Sequence, residues 1–94
     1  MKDLVLINKM EEAVKDTVNQ LYADGKTPGC LCERCRLDVI ALALNSLPSK
    51  YVVTNIGNAV TNVALNSSQW QANLTMAVCN AIEIVRSKPR HQLL

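Results

Sequence analysis

The chain of 94 residues has few aromatic side chains: it contains no phenylalanine, one tryptophan and two tyrosines. Its hydrophobic core must therefore be built from leucine, valine, isoleucine, alanine and methionine, whose side chains each bury less area than an aromatic ring. A chain of this length forms one domain and buries only roughly two-thirds of the surface that its unfolded form exposes. We therefore expect a single domain over residues 1–94, stabilised further by a metal ion, a second subunit or both.

The sequence also lacks an apolar run long enough to cross a bilayer. Its longest run, residues 37–44, contains Asp38 and is far shorter than the roughly 20 residues that a membrane helix needs. The N-terminus has neither an apolar segment of useful length nor a small-residue cleavage site of the kind found in signal peptides. We therefore expect a cytoplasmic protein without membrane contact.

Excess charge of one sign and the common catalytic motifs are missing as well. Ten basic and eight acidic residues give a net charge of +2, so the strongly basic face that nucleic-acid binding requires is not expected. The sequence shows no glycine-rich phosphate loop and no Ser-His-Asp set, and its one histidine, His91, lies in the C-terminal tail. These absences predict that the protein is not an enzyme.

What the sequence does contain is a series of helical patterns separated by turn residues. Apolar residues at spacings of three and four predict an all-α domain of four helices, over about residues 3–24, 33–47, 55–66 and 68–88. Asp3 is the predicted N-cap of the first helix, and Gly25 ends it. The second helix is apolar on two faces, which predicts a central position buried on several sides. Residues 49–54 are predicted to be coil, because no partner strand is evident elsewhere.

Three cysteines, Cys30, Cys32 and Cys35, lie together where a loop meets the start of the second predicted helix. In a reducing cytosol such clusters more often bind metal or carry out redox chemistry than form structural disulfides. Tetrahedral zinc binds cysteine and histidine readily, and a C-x-x-C step lets two sulfurs reach one ion. The positive end of a helix also favours thiolates. We therefore predict a structural zinc ion that staples the loop between the first two helices.

A closed zinc site needs a fourth ligand, and the sequence offers His91 and Cys79. If the last helix is antiparallel to the second, its C-terminal end lies beside the cysteine cluster, which favours His91. Cys79 falls in the middle of the last helix, where a cysteine is more often a small buried hydrophobic residue. The alternative to zinc is a thiol redox element formed by Cys32 and Cys35, although such pairs usually belong to a βαβ unit.

Several segments resemble the late competence development ComFB family. The most specific is the central motif of residues 30–45, which is followed by a matching segment over residues 47–54. Residues 8–14 resemble the family's N-terminal signature, and residues 88–91 are similar to its usual ending. The resemblance extends over about residues 8–91 and is weaker through residues 55–73. The central motif begins with Cys30-Leu31-Cys32-Glu33-Arg34-Cys35.

The resemblance implies a helical homodimer with zinc at Cys30, Cys32 and Cys35, acting as a regulatory or adaptor protein on an unidentified protein partner. The residues also support a dimer independently, because Leu4, Val5 and Leu6 lie beyond the main apolar stripe of the first predicted helix. A chain this small also has too few elements to cover both apolar faces of the second helix. Some members of the family without these cysteines are receptors for cyclic-di-GMP, which makes a cyclic dinucleotide the alternative ligand. Arg34, Arg36 and Asp38 would then be its obvious polar contacts.

Overall fold

The first helix begins later than its apolar spacing predicts. The computed structural model describes residues 4–25 and 32–88, and in it α1 is Lys9–Ala23. Its N-cap is Asn8, whose side-chain oxygen accepts a hydrogen bond from the backbone N–H of Met10 at 3.1 Å. The predicted start near residue 3 was therefore wrong. The predicted end is confirmed, since Gly25 follows the helix with a left-handed φ of 69°.

The residues before α1 form a short strand instead. β1, Ile7–Asn8, pairs antiparallel with β2, Tyr51–Val52, so that Ile7 lies opposite Val52. Backbone hydrogen bonds extend the pairing on both sides, from Val5 N to Val53 O at 3.2 Å and from Lys9 N to Lys50 O at 2.7 Å. The prediction of coil was wrong at residues 51–52, because their partner residues 7–8 lie in the stretch whose apolar spacing predicts the first helix.

The other three helices agree with their predicted positions. α2 is Glu33–Ser46, α3 is Asn55–Leu65 and α4 is Ser68–Ser87. Each begins at an N-cap whose side chain accepts a backbone hydrogen bond: Cys32, Thr54 and Ser67. The prediction of an all-α, four-helix fold is thus confirmed, with the two-stranded sheet as a small addition. Within the described ranges, none of the helices is both long and apolar enough to cross a membrane.

The core lies between α1, α2 and α4. α4 makes its most extensive contacts with α2, and α1 lies against both. Aliphatic side chains fill this core, as the composition predicts, together with the thiol of Cys35. The largest of its fully buried members are Met10, Val14, Val18, Cys35, Val39, Leu74 and Val78. Trp70 is half-buried at its edge, and the Nζ atom of Lys50 lies 5.2 Å from the centre of the Trp70 ring.

Only one face of α2 is buried among the described residues. Cys35, Val39 and Ala43 form a buried stripe, whereas Leu37 and Leu42 are exposed. The prediction of burial on several sides was therefore wrong. α1 and α4 supply the packing for the buried stripe, and the described part of the chain leaves the second apolar face uncovered.

Candidate metal centre

Cys32 and Cys35 stand at the two ends of the first turn of α2. Cys32 is the N-cap residue, and its sulfur accepts a hydrogen bond from the backbone N–H of Cys35 at 3.4 Å. A sulfur in this position lies in the positive field of the helix N-terminus. It also accepts a hydrogen bond from a backbone N–H that has no partner within the helix. Both effects favour the thiolate, which is the form of cysteine that binds metal.

The two cysteines differ in how they contact the core. Cys35 is 1% exposed and belongs to the core formed by α1, α2 and α4. Cys32 is half-buried and lies against the edge of that core. Neighbouring core side chains therefore fix the position of one thiol, while the other stands at the protein surface. This arrangement suits an ion that links a loop to the core.

Two arginines accompany the cysteines in the first turns of α2. Arg34 forms an ion pair with Asp38, with Nε and Oδ2 3.3 Å apart. Arg36 donates from Nη2 to Oδ1 of Asn19 at 2.8 Å, which ties the start of α2 to the last turns of α1. The cations lie close in sequence to the two thiols, where they would offset the charge of a multi-thiolate centre. All three polar side chains suggested for a cyclic dinucleotide thus already have partners within the chain.

Of the other candidate ligands, two lie outside the described residues and one does not join the cysteine cluster. Cys30 and His91 both lie outside the described residues, so the set of Cys30, Cys32, Cys35 and His91 stays a prediction. Cys79 is exposed on α4, and the prediction that it is a buried hydrophobic residue was wrong. Among residues 4–25 and 32–88, no three His, Cys, Asp or Glu side chains form a group that could hold a metal ion. Cys79 therefore does not complete such a group with Cys32 and Cys35.

The donors that are described suit zinc. Two thiols at one helix start, one of them accepting an N–H bond, supply soft ligands of the kind that zinc prefers. The site needs two further ligands for closed tetrahedral coordination, and Cys30 lies only two positions before Cys32 in the sequence.

Asn8 has a structural role that was not predicted from the sequence. Its side-chain oxygen accepts from the backbone N–H of Met10 at 3.1 Å and from the backbone N–H of Lys50 at 2.8 Å. One side chain therefore caps α1 and also holds the segment that leads into β2. The signal in the sequence was an asparagine directly before a helical pattern, with Glu11 and Glu12 in the following turn.

A polar cavity beside α1 was also not predicted. It has a volume of about 240 Å³ and lies between α1, the end of α3 and the start of α4. Its most buried polar side chain is Lys9, 5% exposed, whose Nζ lies 3.1 Å from Oε2 of Glu12. Because that lysine is paired and the other lining side chains carry both carboxylates and amides, the cavity favours no particular ligand.

The sequence and the fold of this chain match those of a known protein family. The family model described as late competence development protein ComFB matches residues 7–89. Competence protein ComFB of Bacillus subtilis (strain 168) is 27% identical over 85 residues, which cover 90% of this chain and 86% of that protein. A solved structure of the late competence protein ComFB from Bacillus subtilis matches with a TM-score of 0.74 and 27% identity, over 90% of this chain and 92% of that one.

Proposed function

We propose that this chain, which belongs to the late competence development ComFB family, is a small, zinc-binding, dimeric regulatory or adaptor protein and not an enzyme. The observation that carries the proposal is the placement of Cys32 and Cys35 at the start of α2, with the Cys32 sulfur accepting the N–H of Cys35. This arrangement supports metal binding by the chain's own thiols.

The proposed zinc ligands are Cys30, Cys32, Cys35 and His91. Zinc would supply a cross-link from the segment before α2 and from the C-terminal tail to a thiol that is buried in the core. The free energy of metal binding would then stabilise the folded state, because the ligands are brought together only in the folded chain. A domain with few aromatic side chains gains most from such a cross-link.

A zinc ion held by four protein ligands has no open coordination position and so no activated water. The proposed site is therefore structural. A protein of this kind acts through the surface that it presents, and its partner would be another protein.

The first test is the metal content of protein purified without added metal, measured by elemental analysis. We expect about one zinc per chain, since the proposed site supplies four ligands for one ion. Protein without metal, in which Cys32 and Cys35 readily form a disulfide, would instead make the cluster a redox element and overturn the zinc proposal.

The fourth ligand is tested by a pair of substitutions. We expect His91→Ala to lose zinc to a competing chelator at a concentration at least roughly 10–100 times lower than the wild type does, because the loss of a partner that merely orients a ligand already weakens metal binding by that factor. Cys79→Ala should match the wild type, because Cys79 is exposed and joins no metal-binding group among the described residues. The reverse result, measured in the same chelator titration, would assign the fourth position to Cys79.

The alternative ligand, cyclic-di-GMP, predicts a different response. A ligand at about 100 times its Kd stabilises a protein by about 2.7 kcal/mol, which raises the Tm of a domain this size by roughly 10 °C or more. We expect a shift below about 1 °C, because Arg34, Arg36 and Asp38 are engaged with one another or with Asn19. Thermal denaturation with and without the nucleotide measures it, with chelator as the control that must change the Tm. A large, saturable increase would make the protein a nucleotide receptor.

A further inference from the structure

An open groove lies between the β1–β2 sheet and α1, and we call it the α1 groove. It has a volume of about 570 Å³ and shares Glu12 and Asp16 with the polar cavity described above, whereas its second wall comes from the sheet. This wall is apolar and consists of Leu6, Ile7 and Tyr51, all of which are exposed. Apolar side chains that lie exposed together mark a site of interaction.

The wall that α1 supplies is acidic. Its carboxylates are those of Glu11, Glu12 and Asp16, and Lys15 is the only basic side chain that the described residues contribute to the lining. Lys15 is paired with Glu11, with Nζ and Oε1 3.0 Å apart. The chain as a whole has a net charge of +2, so this groove has the opposite sign to the rest of the molecule.

Asp16 carries the charge that the fold does not compensate. It is exposed and forms no hydrogen bond or ion pair with any other residue that the structure describes. Glu12, four positions before it on α1, is paired with Lys9 at 3.1 Å. Two carboxylates at this spacing destabilise an isolated helix, so the formation of α1 does not explain them. A cation from a partner would relieve their repulsion.

The groove also contains an open strand edge at Leu6. On one side of this residue, Val5 N donates to Val53 O of the neighbouring segment at 3.2 Å. On the other side, Lys9 N donates to Lys50 O at 2.7 Å. Backbone groups of successive residues in a strand point to opposite sides, and the N–H and C=O of Leu6 have no backbone partner among the described residues. An extended segment can pair with such an edge as an added strand.

We propose that the α1 groove binds an extended segment of another protein in which basic residues alternate with aliphatic ones. Successive side chains of a strand point to opposite faces, so the aliphatic ones would contact the apolar wall while a Lys or Arg forms an ion pair with Asp16. The backbone of the segment would pair with Leu6. The carboxylates of the groove repel nucleic acids and anionic lipids. The proposal rests on the adaptor role proposed above and gives the chemistry of its protein partner.

The test uses a synthetic peptide of sequence Lys-Val-Arg-Val-Lys-Val, blocked at both ends and titrated calorimetrically into the full-length, metal-loaded protein. We expect saturable binding with a Kd below about 1 mM. Asp16→Lys should raise the Kd at least about 10-fold, because it brings like charges together. Asp24→Lys is the matched control and should leave the Kd unchanged, since it makes the same change at an exposed position just after α1 and outside the groove.

Two kinds of altered peptide separate the contribution of charge from that of strand pairing. A peptide with Glu in place of every Lys and Arg keeps the aliphatic residues and should not bind. N-methylation removes backbone N–H donors, and the alternate amides of the peptide form two sets that face its two edges. Methylation of one set should abolish binding, whereas methylation of the other should leave it intact, because only one edge pairs with Leu6.

Four outcomes would overturn the proposal: no saturable binding up to about 1 mM peptide, equal losses in Asp16→Lys and Asp24→Lys, equal binding of the acidic peptide, or equal affinities of the two methylated peptides. A change in the sedimentation mass on Asp16→Lys would assign the groove to a contact between copies of the chain and overturn it as well. Zinc content is measured on the same samples. Zinc-loaded protein that does not bind the peptide would overturn the groove proposal alone, and protein that binds it without zinc would overturn the zinc proposal alone.

Discussion

Replacing Cys35 by serine is expected to reduce the zinc content from about one per chain to nearly none and to lower the Tm by roughly 20 °C. The metal content falls because serine is a poor zinc ligand at neutral pH and the remaining donors leave an open position. The Tm falls because a ligand present at about 1,000 times its Kd contributes about 4 kcal/mol of stability, which is lost with it. Elemental analysis and thermal denaturation measure the two effects.

Two controls separate the metal from the packing of Cys35 in the core. Cys79→Ser makes the same chemical change at an exposed position of α4 and should leave both the metal content and the Tm unchanged. Wild-type protein stripped by chelator should lose most of the same Tm, since both proteins lack zinc. Cys35→Ser should unfold at the same or a somewhat lower temperature, because it also buries a serine hydroxyl in the core. If the stripped wild type keeps its full Tm while Cys35→Ser loses stability, the effect belongs to the buried side chain alone and zinc has no structural role.

The position of the thiols could be predicted from the sequence because two independent signals coincide there. A C-x-x-C step and the start of an apolar helical pattern fall on the same residues. The structure places Cys32 at the N-cap and Cys35 in the first turn of α2, which agrees with the predicted position of the cluster at the start of that helix. The environment of Cys79 could not be predicted in the same way. α4 carries apolar residues on both its buried and its exposed sides, including exposed Met76 and Ile84, so residue type does not tell which side a cysteine occupies.

The short sheet shows a second limit of prediction from the sequence. Residues 4–7 are continuously apolar, and a short apolar run fits a strand as well as the start of a helix. The decision between the two depends on a pairing with residues 51–53, which are distant in the sequence and form a ladder of only a few hydrogen bonds. Tertiary contact therefore determines that residues 7–8 form a strand and not the start of a helix. Asn8, at the boundary between β1 and α1, stabilises this arrangement by accepting hydrogen bonds from both segments.

Asn8→Ala is expected to destabilise the fold by about 2–3 kcal/mol and to lower the Tm by roughly 10–20 °C. The loss has two parts, because Oδ1 of Asn8 accepts from the N–H of Met10, which caps α1, and from the N–H of Lys50, which holds the segment leading into β2. Asn8→Asp keeps an acceptor and should retain most of the stability. Asn80→Ala makes the same truncation at an exposed position of α4 and should change the Tm by less than about 3 °C, since surface substitutions have small effects.

Measuring the metal content distinguishes the lower Tm expected for Asn8→Ala from a loss of stability caused by loss of zinc. Asn8 lies at the start of α1 and the described thiols lie at the start of α2, so folded Asn8→Ala should keep about one zinc per chain while its Tm falls. The destabilisation should also persist after both proteins are stripped by chelator, because the two hydrogen bonds do not involve the metal site. A Tm for Asn8→Ala equal to that of Asn80→Ala would mean that water replaces both hydrogen bonds at no cost. The joint between β1, α1 and β2 would then be held by the strand pairing and the buried Met10 instead.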